Sequence, residues 1–114
     1  MQVQPITNSP VFNGKVRFMS LDGQEDLDLT IKFRKYFDRF EWLIKHKDYD
    51  VFVYPAQENP NFYIVDANTS FDKVLSEKGG KVKIYKNSTD AIVSAVRDAI
   101  KTFDRKWAFL KYRT

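Results

Sequence analysis

The chain has 114 residues, no cysteine, one histidine and a formal net charge of +4. That length suits one ordinary domain, and a composition 43% hydrophobic and 30% charged, with four Gly and four Pro, is globular rather than disordered or collagen-like. The missing cysteine removes disulfide scaffolds, thiolate nucleophiles, zinc–thiolate sites and iron–sulfur clusters, and the single histidine removes most other transition-metal sites, so no cofactor is expected.

Residues 1–13 contain Pro5, Asn8, Ser9, Pro10 and Asn13 and read as an extended arm, in which Ile6, Val11 and Phe12 can dock. Residues 14–114 then read as a single domain, with no repeat or linker. The N-terminus lacks the early positive charge and apolar run of a secretory signal, and no stretch approaches the roughly 18 apolar residues of a membrane span. A cytoplasmic protein without membrane contact is the resulting expectation.

Lys15 to Leu21 reads as a strand and Asp22-Gly23 as a tight turn. Leu27, Leu29, Ile31 and Phe33 alternate with Asp26, Asp28, Thr30 and Lys32, a period of two that predicts a second strand and an opening hairpin. From Arg34 the period lengthens. Phe33, Tyr36, Phe37, Phe40, Leu43 and Ile44 form one stripe of an amphipathic helix over 34–47, with Trp42 nearly opposite it.

Val51 to Tyr54 and Phe62 to Val65 are apolar in both phases, which suits interior strands covered on both sides or a strand with an exposed aromatic face. Ser70 before Phe71, Val74 and Leu75, with Gly79 after them, fits a short capped helix over 70–78, and a strand there is the alternative. Lys81 to Lys86 alternates Val82 and Ile84 with lysines. Asn87-Ser88-Thr89-Asp90 offers caps for a last helix whose stripe is Ile92, Val96, Ala99, Ile100, Phe103, Trp107 and Leu110. Phe109 and Tyr112 fall off that stripe, so the helix either ends near Trp107 with the tail folding back, or ends in an aromatic-basic contact segment.

The order ββαββ(α)βα predicts an α+β fold: an antiparallel or mixed sheet of about five strands with two amphipathic helices packed on one face. With 70–78 helical, residues 26–86 have the βαββαβ order of a ferredoxin-like fold; with a strand there, the order resembles longin or profilin-like sheets.

Catalytic signals are thin. His46 within Lys45-His46-Lys47 suits a solvated helix end, where a cation interacts well with the helix dipole, more than a general base partnered by Asp48 or Asp50. Asp26 and Asp28 share an outward face, a possible hard-metal pair, but lack a third oxygen ligand at recognisable spacing. Asp50, Asp66 and Lys83 could converge as in a metal-dependent nuclease, with no diagnostic spacing. Gly79-Gly80-Lys81 lacks the remainder of a phosphate-binding loop. Phe52, Tyr54, Phe62 and Tyr63 raise base stacking on a sheet, but the basic-Gly-aromatic octapeptide of RNA-recognition modules is absent.

Charge and aromatic placement say more. Residues 97–114 hold six Lys or Arg against two Asp, so the last helix and tail carry the whole net charge. Arg97, Lys101 and Arg105 are spaced four apart and form a row to which Lys81 and Lys83 can add, a candidate phosphate-contacting surface. The plainer reading is an ordinary helix surface in which Asp98 and Asp104 compensate Lys101. Trp42, with Arg39 and Lys45 three residues to either side and His46 four away, is the candidate anchor for a partner. The arm or a second copy of the chain could equally cover it. The leading expectation is therefore a small non-catalytic binding module that meets a protein partner or itself, followed by a nucleic-acid binder, and then by a small metal-dependent nuclease or hydrolase.

Overall fold

The computed structural model describes residues 14–77 and 82–113, without the side chains of 39–41 and 107–113. The elements run β1 (Val16–Phe18), α1 (Leu27–Ile44), β2 (Asp50–Pro55), β3 (Phe62–Asn68), α2 (Phe71–Ser76), β4 (Lys83–Tyr85) and α3 (Thr89–Arg113). The fold is α+β, with a mixed four-stranded sheet in the order β1-β2-β3-β4. β1 runs parallel to β2, and both β2–β3 and β3–β4 are antiparallel. The expected arm, the glycine pair Gly79-Gly80 and Lys81 lie outside the described residues.

The segment 26–33, expected as a strand, is instead helical. Asp26 caps α1: its Oδ1 accepts from Leu29 N–H at 3.1 Å and its carbonyl from Thr30 N–H at 3.0 Å. Leu29, Phe33, Phe37 and Ile44 then follow one face into the core, while Leu27 and Ile31 remain exposed. The period of two was a helix whose outer apolar residues happened to alternate with its inner ones. The helix accordingly runs from Leu27 to Ile44, earlier at both ends than 34–47. What survives of the hairpin is a turn. Ser20 N–H donates to the Gln24 carbonyl at 2.8 Å, Gly23 takes φ +91°, and a single Met19–Glu25 bridge closes it.

The returning chain also closes the outer edge of β1. Phe18 N–H donates to Thr30 Oγ1 at 3.0 Å, and its carbonyl accepts from Asp26 N–H at 2.7 Å. Because β1 and β2 pair directly, β1-α1-β2 is a plain crossover unit rather than the split unit of a ferredoxin-like sheet, although the elements from β1 to β4 run in the order βαββαβ, starting at Val16 and not at the expected strand over 26–33.

α1 and α3 pack on one face of the sheet. Val16, Phe18, Val51, Val53, Tyr63 and Ile84 meet Phe37, Ile44, Ile92, Val96 and Ile100 there. On the opposite face Phe52 and Tyr54 are covered by Phe71 and Val74 of α2, so β2 is buried on both sides. Ser70 caps α2, its side chain accepting from Lys73 N–H. Ser88 does the same for α3 through Ala91 N–H. The backbone of α3 stays helical to Arg113, so it neither stops near Trp107 nor folds back there.

Gly14 fixes how the chain enters this body. A Cβ there would lie 2.4 Å from the Tyr49 carbonyl oxygen and 2.5 Å from that of Ile44. Only glycine lets the strand leading into β1 pass between the end of α1 and the start of β2.

Candidate functional site

At 100° per residue, Leu29, Phe33, Phe37 and Ile44 define the inner face of α1, and Leu27, Ile31 and Trp42 fall within about 60° of one another on the opposite side. Trp42 is 68% exposed, Leu27 61% and Ile31 59%. Among the described residues nothing covers them. Lys35 and Asp38 lie between Ile31 and Trp42 on the same outer face, both exposed. Lys45 and His46 are exposed in the turn just after Ile44, near the Trp42 end of the helix. Arg39 belongs to the same helix, but its side chain is outside the described set. The sequence singled out Trp42 through its helical angle. Leu27 and Ile31 escaped notice because their segment read as a strand.

Arg97, Lys101 and Arg105 are all exposed on the side of α3 away from Ile92, Val96 and Ile100. The compensation expected from Asp104 is directed elsewhere. Asp104 Oδ1 accepts from the Tyr49 hydroxyl at 2.6 Å and lies 3.7 Å from Lys47 Nζ, which ties α3 to the chain entering β2. Asp98 lies beside Arg97 at 3.9 Å, a loose contact between exposed groups. Lys83, on β4, is paired with Glu58. Burial pushes the Tyr49 hydroxyl well above the ordinary tyrosine range, and the hydrogen bond to Asp104 with the charges of Asp104 and Asp48 pushes the same way.

Asp50 and Asp66, considered for catalysis, are engaged in other contacts. Asp50 Oδ1 accepts from Lys15 N–H at 2.8 Å and its Oδ2 from Arg17 Nε at 3.0 Å. Arg17 also reaches Glu25 Oε1 at 2.8 Å. Burial works against the Arg17 charge, but the bonds and charges of Asp50 and Glu25 outweigh it and hold the guanidinium above its ordinary value. This three-residue network locks β1, β2 and the 19–25 turn together. Asp50 lies 33 residues from Arg17, and nothing in the local pattern marks that pair. Asp66 Oδ1 accepts from the N–H of Ala67 at 3.0 Å. Among the described residues no group of three His, Cys, Asp or Glu side chains could hold a metal ion, and no helix is long and apolar enough to cross a membrane.

No protein-family model, curated protein or solved structure matches the chain significantly. The surfaces above therefore carry the functional argument by themselves.

Proposed function

We propose that this chain is a small non-catalytic binding module that contacts a protein partner through the outer face of α1, with Trp42 as the anchor and Lys45, His46 and Arg39 beside it. One observation carries the reading: a tryptophan 68% exposed on a well-formed helix, in line with two further exposed aliphatic side chains. Tryptophan at the centre of a contact is a characteristic source of binding energy, and neighbouring cations suit a polar rim. We place this module in the cytoplasm, with which a chain that needs no disulfide is compatible. The test compares full-length baits in extracts of the source cells. A partner held by the parent and by Lys101→Gln, and lost with Trp42→Ala, is the expected result. An identical set of bound proteins for parent and Trp42→Ala would overturn the proposal.

A second reading, nucleic-acid binding by Arg97, Lys101 and Arg105, is favoured by the engagement of Asp104 with Tyr49 and Lys47 rather than with Lys101. Three phosphate contacts would make log affinity for duplex DNA fall against log salt with a slope of about −2.7. Lys83, paired with Glu58 on the sheet face away from α3, does not add to this row. Titration of mixed duplex at two salt concentrations decides, and absence of binding at low salt sinks this reading.

A further inference from the structure

The neutrality of the chain before residue 97 conceals a second basic helix. Residues 27–47 hold six Lys or Arg against three Asp or Glu, and the remainder of that neutral stretch carries the compensating acid. Lys32, Arg34, Lys35 and Lys45 are exposed, and among the described residues none of them stands against a carboxylate. Arg17, Lys47 and Lys83, by contrast, are each held by one. Lys32 and Lys35 reach only the rings of Phe33 and Tyr36, their neighbours in sequence, at 5.9 and 5.1 Å.

These cations frame the exposed apolar row of Leu27, Ile31 and Trp42. Around the helix, Lys32 and Arg34 lie about 80° to either side of Trp42, and Lys35 lies about 20° from it. Lys45 follows in the turn at the Trp42 end. An apolar centre with cations on both borders suits an acidic amphipathic segment, whose apolar side chains bury the centre while its carboxylates meet the borders. From Leu27 to Trp42 the row rises about 22 Å, which about four turns of a partner helix would span. An evenly charged phosphate backbone or anionic membrane suits the face less well. Asp28 and Asp38 stand about 40° to either side of Trp42 and repel such a surface, whereas a peptide can set a neutral side chain against each.

We infer that the partner of the outer face of α1 is an acidic amphipathic segment of another protein, its apolar side chains on Trp42 and Ile31 and its carboxylates against Lys32, Arg34 and Lys35. This names the chemistry of the partner and rests on the reading of α1 as a protein-binding surface. Charge at the borders speeds encounter and excludes basic competitors, while Trp42 holds what has docked.

The experiment titrates a fluorescein-labelled peptide of about 15 residues, with Glu and Leu at helical spacing, with the full chain carrying Trp107→Phe, so that Trp42 is the only tryptophan. Saturable binding is expected, with Trp42 emission moved to shorter wavelength. Lys35→Glu should weaken binding about tenfold. Lys73→Glu, the same change of charge at an exposed position of α2 on the opposite side of the sheet, should weaken it less than about twofold. Absence of binding would overturn the inference, as would equal binding of a peptide with Ser in place of Leu or Lys in place of Glu, or equal losses for Lys35→Glu and Lys73→Glu. Mixed duplex DNA that displaces the peptide and shields Trp42 would also overturn it and assign the face to nucleic acid. In cell extracts, a partner lost with Trp42→Ala but kept by Lys35→Glu removes the acidic chemistry and leaves the protein-binding surface standing. If Trp42→Ala loses nothing, both fail.

Discussion

Beneath α1 and α3 the sheet presents Val16, Phe18, Val51, Val53, Tyr63 and Ile84 to two long helices, and Phe18 sits among Phe33, Phe37 and Tyr63 with ring centroids 4.9 to 6.1 Å away. Beneath α2 it presents Phe52, Tyr54 and Ile64 to a six-residue helix. Elsewhere on that second face lie Arg17 with Asp50 and Glu25, Lys83 with Glu58, and Tyr85 tilted against Phe62 with ring centroids 4.5 Å apart. One face is a closed aromatic and aliphatic core. The other is a small apolar patch bordered by ion pairs. The first should dominate stability, and the second should matter for where strands sit relative to one another.

Gly14→Ala tests the tightest point on the helix side. The new methyl meets two backbone carbonyl oxygens, which cannot rotate away, so the end of α1 must separate from β2 at a cost of about 4 kcal/mol in urea unfolding. A cost below about 1 kcal/mol would mean that the entry to β1 is looser than drawn.

Val53 and Val74 allow a like-for-like comparison, since both are fully buried, one on each face. Val53→Ala should cost about 3 kcal/mol, because the strands and helices around it cannot collapse onto the cavity. Val74→Ala should cost nearer 1.5 kcal/mol, because the short α2 can settle inward. Equal losses would erase the asymmetry between the faces.

The smallest effect concerns Tyr49, which joins the helix-side core to α3. Its hydroxyl stays protonated in the folded protein at pH values where the unfolded chain, titrating near about 10, has already ionised. The stabilisation is complete below that pH and drains away as pH rises above it. Tyr63 adds a contribution of the same sign, from burial and from the charge of Asp26. Tyr49→Phe should cost about 1 kcal/mol at neutral pH and flatten the loss of stability above pH 10. An unchanged alkaline slope would remove the Tyr49–Asp104 bond from the account.

The elements most legible in the sequence are those whose pattern is local and strong. The doubly apolar run Val51–Tyr54 becomes a strand buried on both sides, Ser70 caps the short helix, and Ile92, Val96 and Ile100 pack as the spacing requires. Residues 26–33 misled because alternation at four successive pairs satisfies a strand, while the cap at Asp26 and the continuation of Leu29 and Phe33 into Phe37 were the weaker signals. The direct parallel pairing of β1 with β2 and the network of Arg17 with Asp50 depend on residues more than thirty positions apart, which no window of sequence contains. For the candidate surface, helical angle alone was enough to place Trp42 outside the core. The diversion of Asp104 toward Tyr49, 55 residues earlier, had no local sign.

The outward polar groups of Phe18 are taken by Asp26 and Thr30, residues of the cap and first turn of α1. A foreign strand approaching that edge finds both positions of Phe18 already filled, a form of protection against edge-to-edge aggregation. Here the guard is the helix start itself, so the edge opens only when that turn unwinds, and resistance to strand addition at β1 becomes a property of how firmly α1 is capped.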